Sequence, residues 1–83
     1  MVTFYQKPGC GLCREIERPL MAYAAQYGVQ VRIVNIDEDK VAWERYWDKI
    51  PVIEIDAQTI LYEPISHRAL RDAIRGAGKT SKT

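Results

Sequence analysis

The chain has 83 residues, 12 Lys and Arg against 11 Asp and Glu, and a formal net charge of +1. A chain of this length forms one domain burying roughly 60 to 65% of its unfolded surface, which excludes a second domain. Its charges are interleaved, so no basic stripe is available to nucleic acid, and no apolar run reaches the roughly 20 residues of a membrane-spanning helix.

Residues 2–5 read as a short apolar strand beginning immediately after Met1. No charged segment leads into a hydrophobic stretch there, so no secretory signal is expected and the protein is placed in the cytoplasm. In a reducing compartment two closely spaced cysteines point to catalysis or metal binding more than to a structural staple. They follow at once, in the run Lys7-Pro8-Gly9-Cys10-Gly11-Leu12-Cys13. Leu12, Ile16, Leu20, Tyr23, Ala24 and Tyr27 then recur at helical spacing, closed by Gly28. Pro19 falls inside this helix and is expected to kink it. Residues 29–36 alternate as a second strand, completing a βαβ unit whose strands run parallel.

Asp37, Glu38 and Asp39 precede a short helix carrying Val41, Ala42, Trp43, Tyr46 and Trp47, where acidic residues suit the helix dipole. Ile50-Pro51 ends it. Residues 52–55 and 59–62 flank Asp56-Ala57-Gln58, a turn of hairpin length. Ser66 suits the cap of a final helix, Ile65 and Leu70 have the spacing of a hydrophobic staple, and Leu70, Ala73 and Ile74 form its apolar stripe. Gly76 is the expected end, leaving residues 76–83 as a disordered tail. The order βαβαββα predicts a single α/β domain over residues 1–75, a four-stranded mixed sheet with helices on both faces.

Two thiols separated by two residues at a helix start can close a small disulfide, and the helix end helps to hold the first as a thiolate. Cys10 is therefore the expected nucleophile and Cys13 the resolving thiol. Lowering a thiol pKa from about 8.5 to about 7 raises the thiolate fraction at neutral pH from roughly 3% to roughly 50%. Lys7, Arg14 and Arg18 assist that shift and Glu15 and Glu17 oppose it. Pro8, Gly9, Gly11 and Leu12 frame the attacking sulfur, with little bulk at the glycines. Ile50, Pro51 and Val52 form the second element of the site. A cis Ile50-Pro51 bond would turn the backbone sharply and offer main-chain groups to an extended substrate; alternatively Pro51 simply starts a strand.

The strand–CxxC–helix start, the segment from Tyr46 to Val52 and the element order together resemble the thioredoxin superfamily. Within it the chain is similar to the glutaredoxins and to compact bacterial glutaredoxin-like proteins, over roughly residues 1 to 75. The resemblance implies a thioredoxin-like fold, a Cys10–Cys13 pair facing a cis-Pro51 loop, and a monomeric dithiol-disulfide oxidoreductase with no bound cofactor. Its substrate would be a disulfide-bearing protein or small molecule, and its reductant glutathione or a thioredoxin-reductase-type donor. Lys7 matches the cation that meets a glutathione carboxylate. Gly11-Leu12 stands between the cysteines where glutaredoxins usually have Pro-Tyr. Lys49-Ile50 and Pro64-Ile65-Ser66 replace the Thr-Val pair and glycine-rich turn of the glutathione pocket, which gives a protein disulfide standing comparable to glutathione. The alternative is a non-catalytic binder of the same fold, carrying a metal or iron-sulfur cluster or docking a partner.

His67, the sole histidine, adds a third metal-ligand type, but two cysteines and one histidine fall short of the four ligands of a structural zinc site. Trp43 and Trp47, four apart, share one helix face and are expected in the core, with Trp47 as an alternative rim to the substrate groove. Tyr5 has the same two readings. Gly76-Ala77-Gly78-Lys79-Thr80 resembles the end of a phosphate loop but follows a helix instead of joining a strand to one.

Overall fold

The computed structural model describes residues 1–80. Four strands, β1 (Val2–Gln6), β2 (Val31–Asn35), β3 (Val52–Glu54) and β4 (Ile60–Tyr62), form one sheet in the order β2-β1-β3-β4. β1 and β2 run parallel, with Val2 beside Val31, while β3 is antiparallel to both β1 and β4. Three helices complete the fold: α1 (Gly11–Tyr27), α2 (Lys40–Tyr46) and α3 (His67–Thr80), with a single 3-10 turn at Ile36–Glu38 before α2.

Strand alternation separates the two faces of this sheet. Val2 and Phe4 of β1 and Ile53 of β3 point to one side, where they join Cys13, Ile16 and Leu20 of α1 and Leu70 and Ile74 of α3 in the main core. Tyr5, Val52 and Glu54 point to the other, toward α2, where the Tyr5 and Tyr46 rings lie 4.8 Å apart. Tyr46 also lies 6.3 Å from the ring of Tyr62 and donates a long hydrogen bond of 3.4 Å to Glu54 Oε2. Burial, reinforced by the Glu54 carboxylate, pushes the Tyr5 and Tyr46 phenols above their ordinary value near 10.

Local signals set most boundaries. Asp39 caps α2 by accepting from Ala42 N, and Ser66 Oγ accepts from Ala69 N at the start of α3. Asp56 Oδ1 accepts from both Gln58 N and Thr59 N at 2.8 Å, so a side chain stabilises the hairpin turn that lacks a glycine. α1 continues through Pro19 to a left-handed cap at Gly28.

Two expectations are corrected. α3 does not stop at Gly76 but runs on to Thr80; only 81–83 of the expected tail lie outside the described residues. The reason is tertiary. Gly78 is buried against the end of α1, where a Cβ would stand 2.8 Å from the Tyr27 carbonyl oxygen, so this glycine permits close helix packing instead of ending a helix. Trp43 and Trp47 are not core residues. They stack 5.9 Å apart on the outside of α2, 46% and 54% exposed, because so short a helix buries only Ala42 and Tyr46.

Candidate active site

β1 delivers the chain into a tight turn over residues 7–9, in which the Lys7 carbonyl accepts from Cys10 N at 3.3 Å. Gly9 has φ 83°, a left-handed conformation that a side chain would disfavour. Lys7, Pro8, Gly9 and Gly11 are all exposed around this turn. Cys10 then occupies the N-cap of α1: its backbone is extended, its carbonyl accepts from Arg14 N, and its Sγ accepts from Cys13 N at 3.1 Å. The first turn carries no acidic residue to repel negative charge at this sulfur.

Cys10 and Cys13 form a disulfide with their Cα atoms 5.2 Å apart. Their surroundings differ. Cys13 is 2% exposed and belongs to the main core, whereas Cys10 is half-buried at the edge of it. Cys10 is thus the cysteine nearer solvent, and the Cys13 amide donates a hydrogen bond to its sulfur.

The register that pairs Tyr5 with Val52 carries the segment before β3 alongside the turn after β1. That places Ile50-Pro51 beside the dithiol turn, and the Ile50-Pro51 bond is cis. Ile50 is half-buried against the core that contains Cys13. Pro51 and Val52 are fully buried, so Ile50 is the member of this segment that reaches the surface. Lys49 N donates to the Tyr46 carbonyl at 2.9 Å, closing the turn that leads into this segment.

One feature beside the thiols was not singled out from sequence. A groove separates α1 from the β4–α3 connection, lined by Leu12, Glu15 and Ile16 on one wall and Glu63, Ile65 and His67 on the other. A second cis bond, Glu63-Pro64, lies in that connection, where Ile65 N donates to Glu63 Oε1 at 2.9 Å. The spacing Leu12, Glu15, Ile16 was the available signal, since positions three and four apart share a helix face; its opposite wall comes from residues some fifty positions away. Lys7 is not part of this lining. His67 is, and among the described residues no three His, Cys, Asp or Glu side chains come together as a metal site. Among the described residues no helix is long and apolar enough to cross a membrane.

Comparison with known proteins gives a family and a fold. The model of the glutaredoxin-like domain family (DUF836) matches residues 1–75. The X-ray structure of the structural genomics target protein XcR50 from X. campestris is similar at 26% identity and a TM-score of 0.72, over 92% of this chain and 97% of that one. Thioredoxin 1 from Thermosipho africanus superposes with a TM-score of 0.75 at 10% identity, over 99% of this chain and 98% of that one, which establishes a thioredoxin-like fold.

Proposed function

Since the chain belongs to the glutaredoxin-like domain family, we propose that it is a dithiol-disulfide oxidoreductase in which Cys10 attacks and Cys13 resolves. The observation that carries this reading is the asymmetry of the pair: a half-buried cysteine at a helix N-cap, its sulfur held by a backbone amide, beside a partner buried in the core. Unpaired amides and the positive end of the helix dipole favour a thiolate at Cys10 over one at Cys13.

In the reducing direction the Cys10 thiolate attacks one sulfur of a substrate disulfide. A Cys10–substrate disulfide forms, and the other substrate sulfur leaves as a thiolate that takes a proton from solvent. Cys13, once deprotonated, attacks Cys10 Sγ and expels the second substrate thiolate. The substrate gains two electrons and yields two thiols, while the protein is left with the Cys10–Cys13 disulfide. Two thiol equivalents, from glutathione or from a thioredoxin-reductase-type dithiol donor, restore it. The Ile50-Pro51 backbone flanks the attacked disulfide and suits an extended substrate segment.

Trapping tests the assignment. Cys13→Ser is expected to accumulate a mixed disulfide on Cys10 visible by mass spectrometry, and Cys10→Ser to accumulate none. Equal adducts on both variants would abolish the division of roles, and an adduct on Cys10→Ser alone would reverse it. Failure of the wild-type thiols to pair between roughly −270 and −200 mV in a glutathione titration would favour the non-catalytic binder.

A further inference from the structure

The groove beside the dithiol differs in charge from what a glutathione-using site requires. Leu12, 53% exposed, stands between the two cysteines in the chain and Ile65 lines the facing wall, so the apolar lining starts from the first turn of α1, with neither sulfur in the lining itself. Glu15 and Glu63 line the same groove against a single imidazole, His67. Glu63 is fixed by the hydrogen bond that one of its oxygens accepts from Ile65 N, which leaves the other oxygen for a ligand. Among the described residues Glu15 has no ion-pair partner, the ion pairs being Lys49–Asp48 and the two of Asp72 with Arg71 and Arg75. Glutathione carries two carboxylates and one ammonium group, a net charge of −1 at neutral pH. Its entry here would set like charges against each other, whereas a lysine or arginine side chain would be attracted.

Resting on the oxidoreductase reading above, we propose that the groove selects protein disulfides in which the attacked cysteine is flanked by an apolar and a basic residue, and that it discriminates against glutathione disulfide. The apolar side chain packs on Leu12 and Ile65, and the cation lies between Glu15 and Glu63. Electrostatic complementarity of this kind acts on partner choice and encounter rate more than on total affinity, so its signature is a ratio between substrates. The sulfur chemistry is that already written: one Cys10–substrate bond forms, one substrate thiol leaves, and Cys13 releases the other.

The experiment compares three disulfides under one reductant: glutathione disulfide, and the symmetric disulfides of acetyl-Leu-Cys-Lys-amide and acetyl-Leu-Cys-Glu-amide. The expected kcat/KM is about threefold or more higher for the lysine peptide than for the glutamate peptide at low ionic strength, the scale of exposed ion pairs. The ratio should fall toward one at about 0.5 M salt, where screening shortens to a few ångströms. Glu15→Gln should reduce the ratio and Glu15→Lys should bring it below one. A ratio near one in the wild type, or glutathione disulfide turned over as well as the lysine peptide, overturns the groove assignment while leaving the dithiol reading intact. Absence of exchange with all three disulfides overturns the dithiol reading, and the groove assignment with it.

Discussion

One face of the sheet packs Val2, Phe4 and Ile53 against Leu20, Leu70 and Ile74, every one of them fully buried, and the interior of this layer ends at Cys13. The opposite face is covered by the short helix α2 (Lys40–Tyr46), through Ala42 and a tyrosine cluster, and it leaves two stacked tryptophans outside. The contrast shows where a chain of this size places its rigidity. Cys13 is a component of the tightly packed layer, so the dithiol is anchored to the more closely packed side of the fold, and the segment around Pro51 is joined to that layer through β1–β3 pairing. The α2 face closes the sheet with far less buried aliphatic surface.

Substitutions on the two faces should therefore differ in size and kind. Phe4→Ala is expected to have the largest effect, costing about 3 to 5 kcal/mol in a urea titration. A chain of this length has a total of about 4 to 12 kcal/mol, so the variant would lose from about a quarter to all of its stability. A loss below about 1 kcal/mol would break the claim that this layer carries the fold. Next, Gly78→Ala gains about 1 kcal/mol of helix propensity but forces overlap with the Tyr27 backbone at about 1 to 3 kcal/mol, a net loss near 1 kcal/mol. Gly76→Ala, whose Cβ would meet nothing within 4 Å, should instead stabilise by up to about 1 kcal/mol, and equal signs for the two would remove the close approach of α3 to α1.

On the α2 face, Trp43→Gln is expected to change stability by less than about 1 kcal/mol, the scale of one exposed aromatic pair. Chemical denaturation of this variant beside Phe4→Ala measures the difference between the faces directly. The smallest effect is confined to alkaline solution. The folded protein holds the Tyr5 and Tyr46 protons above the ordinary phenol value, so the associated stability is present below pH 10 and is lost as pH rises through the raised values. Tyr46→Phe should flatten that loss in melting temperatures measured above pH 10, and an unchanged slope would place the alkaline sensitivity elsewhere.

What could be read from the sequence was local. The helix start at Cys10, the caps at Asp39 and Ser66 and the alternation of β1 each depend on a few adjacent residues, and together they specify the element order and the dithiol. The cis bond at Pro51 was legible because a dithiol upstream gave that proline a purpose; the one at Pro64 had no such companion. The exposure of Trp43 and Trp47 depends on how much sheet so short a helix can cover, and Gly78 has the composition of a helix stop but the role of a contact. The groove joins positions in the teens to positions in the sixties, a pairing set only when β4 returns the chain beside α1.

Cys10 caps α1 with the same atom that is proposed to do the chemistry. Serine is among the residues that fill such a position best, so exchanging sulfur for oxygen there would remove the reactivity and keep the cap. Loss of catalysis at this site is thus separable from loss of the fold by one atom, and a lineage could discard the reaction while retaining an intact scaffold and groove for recognition alone.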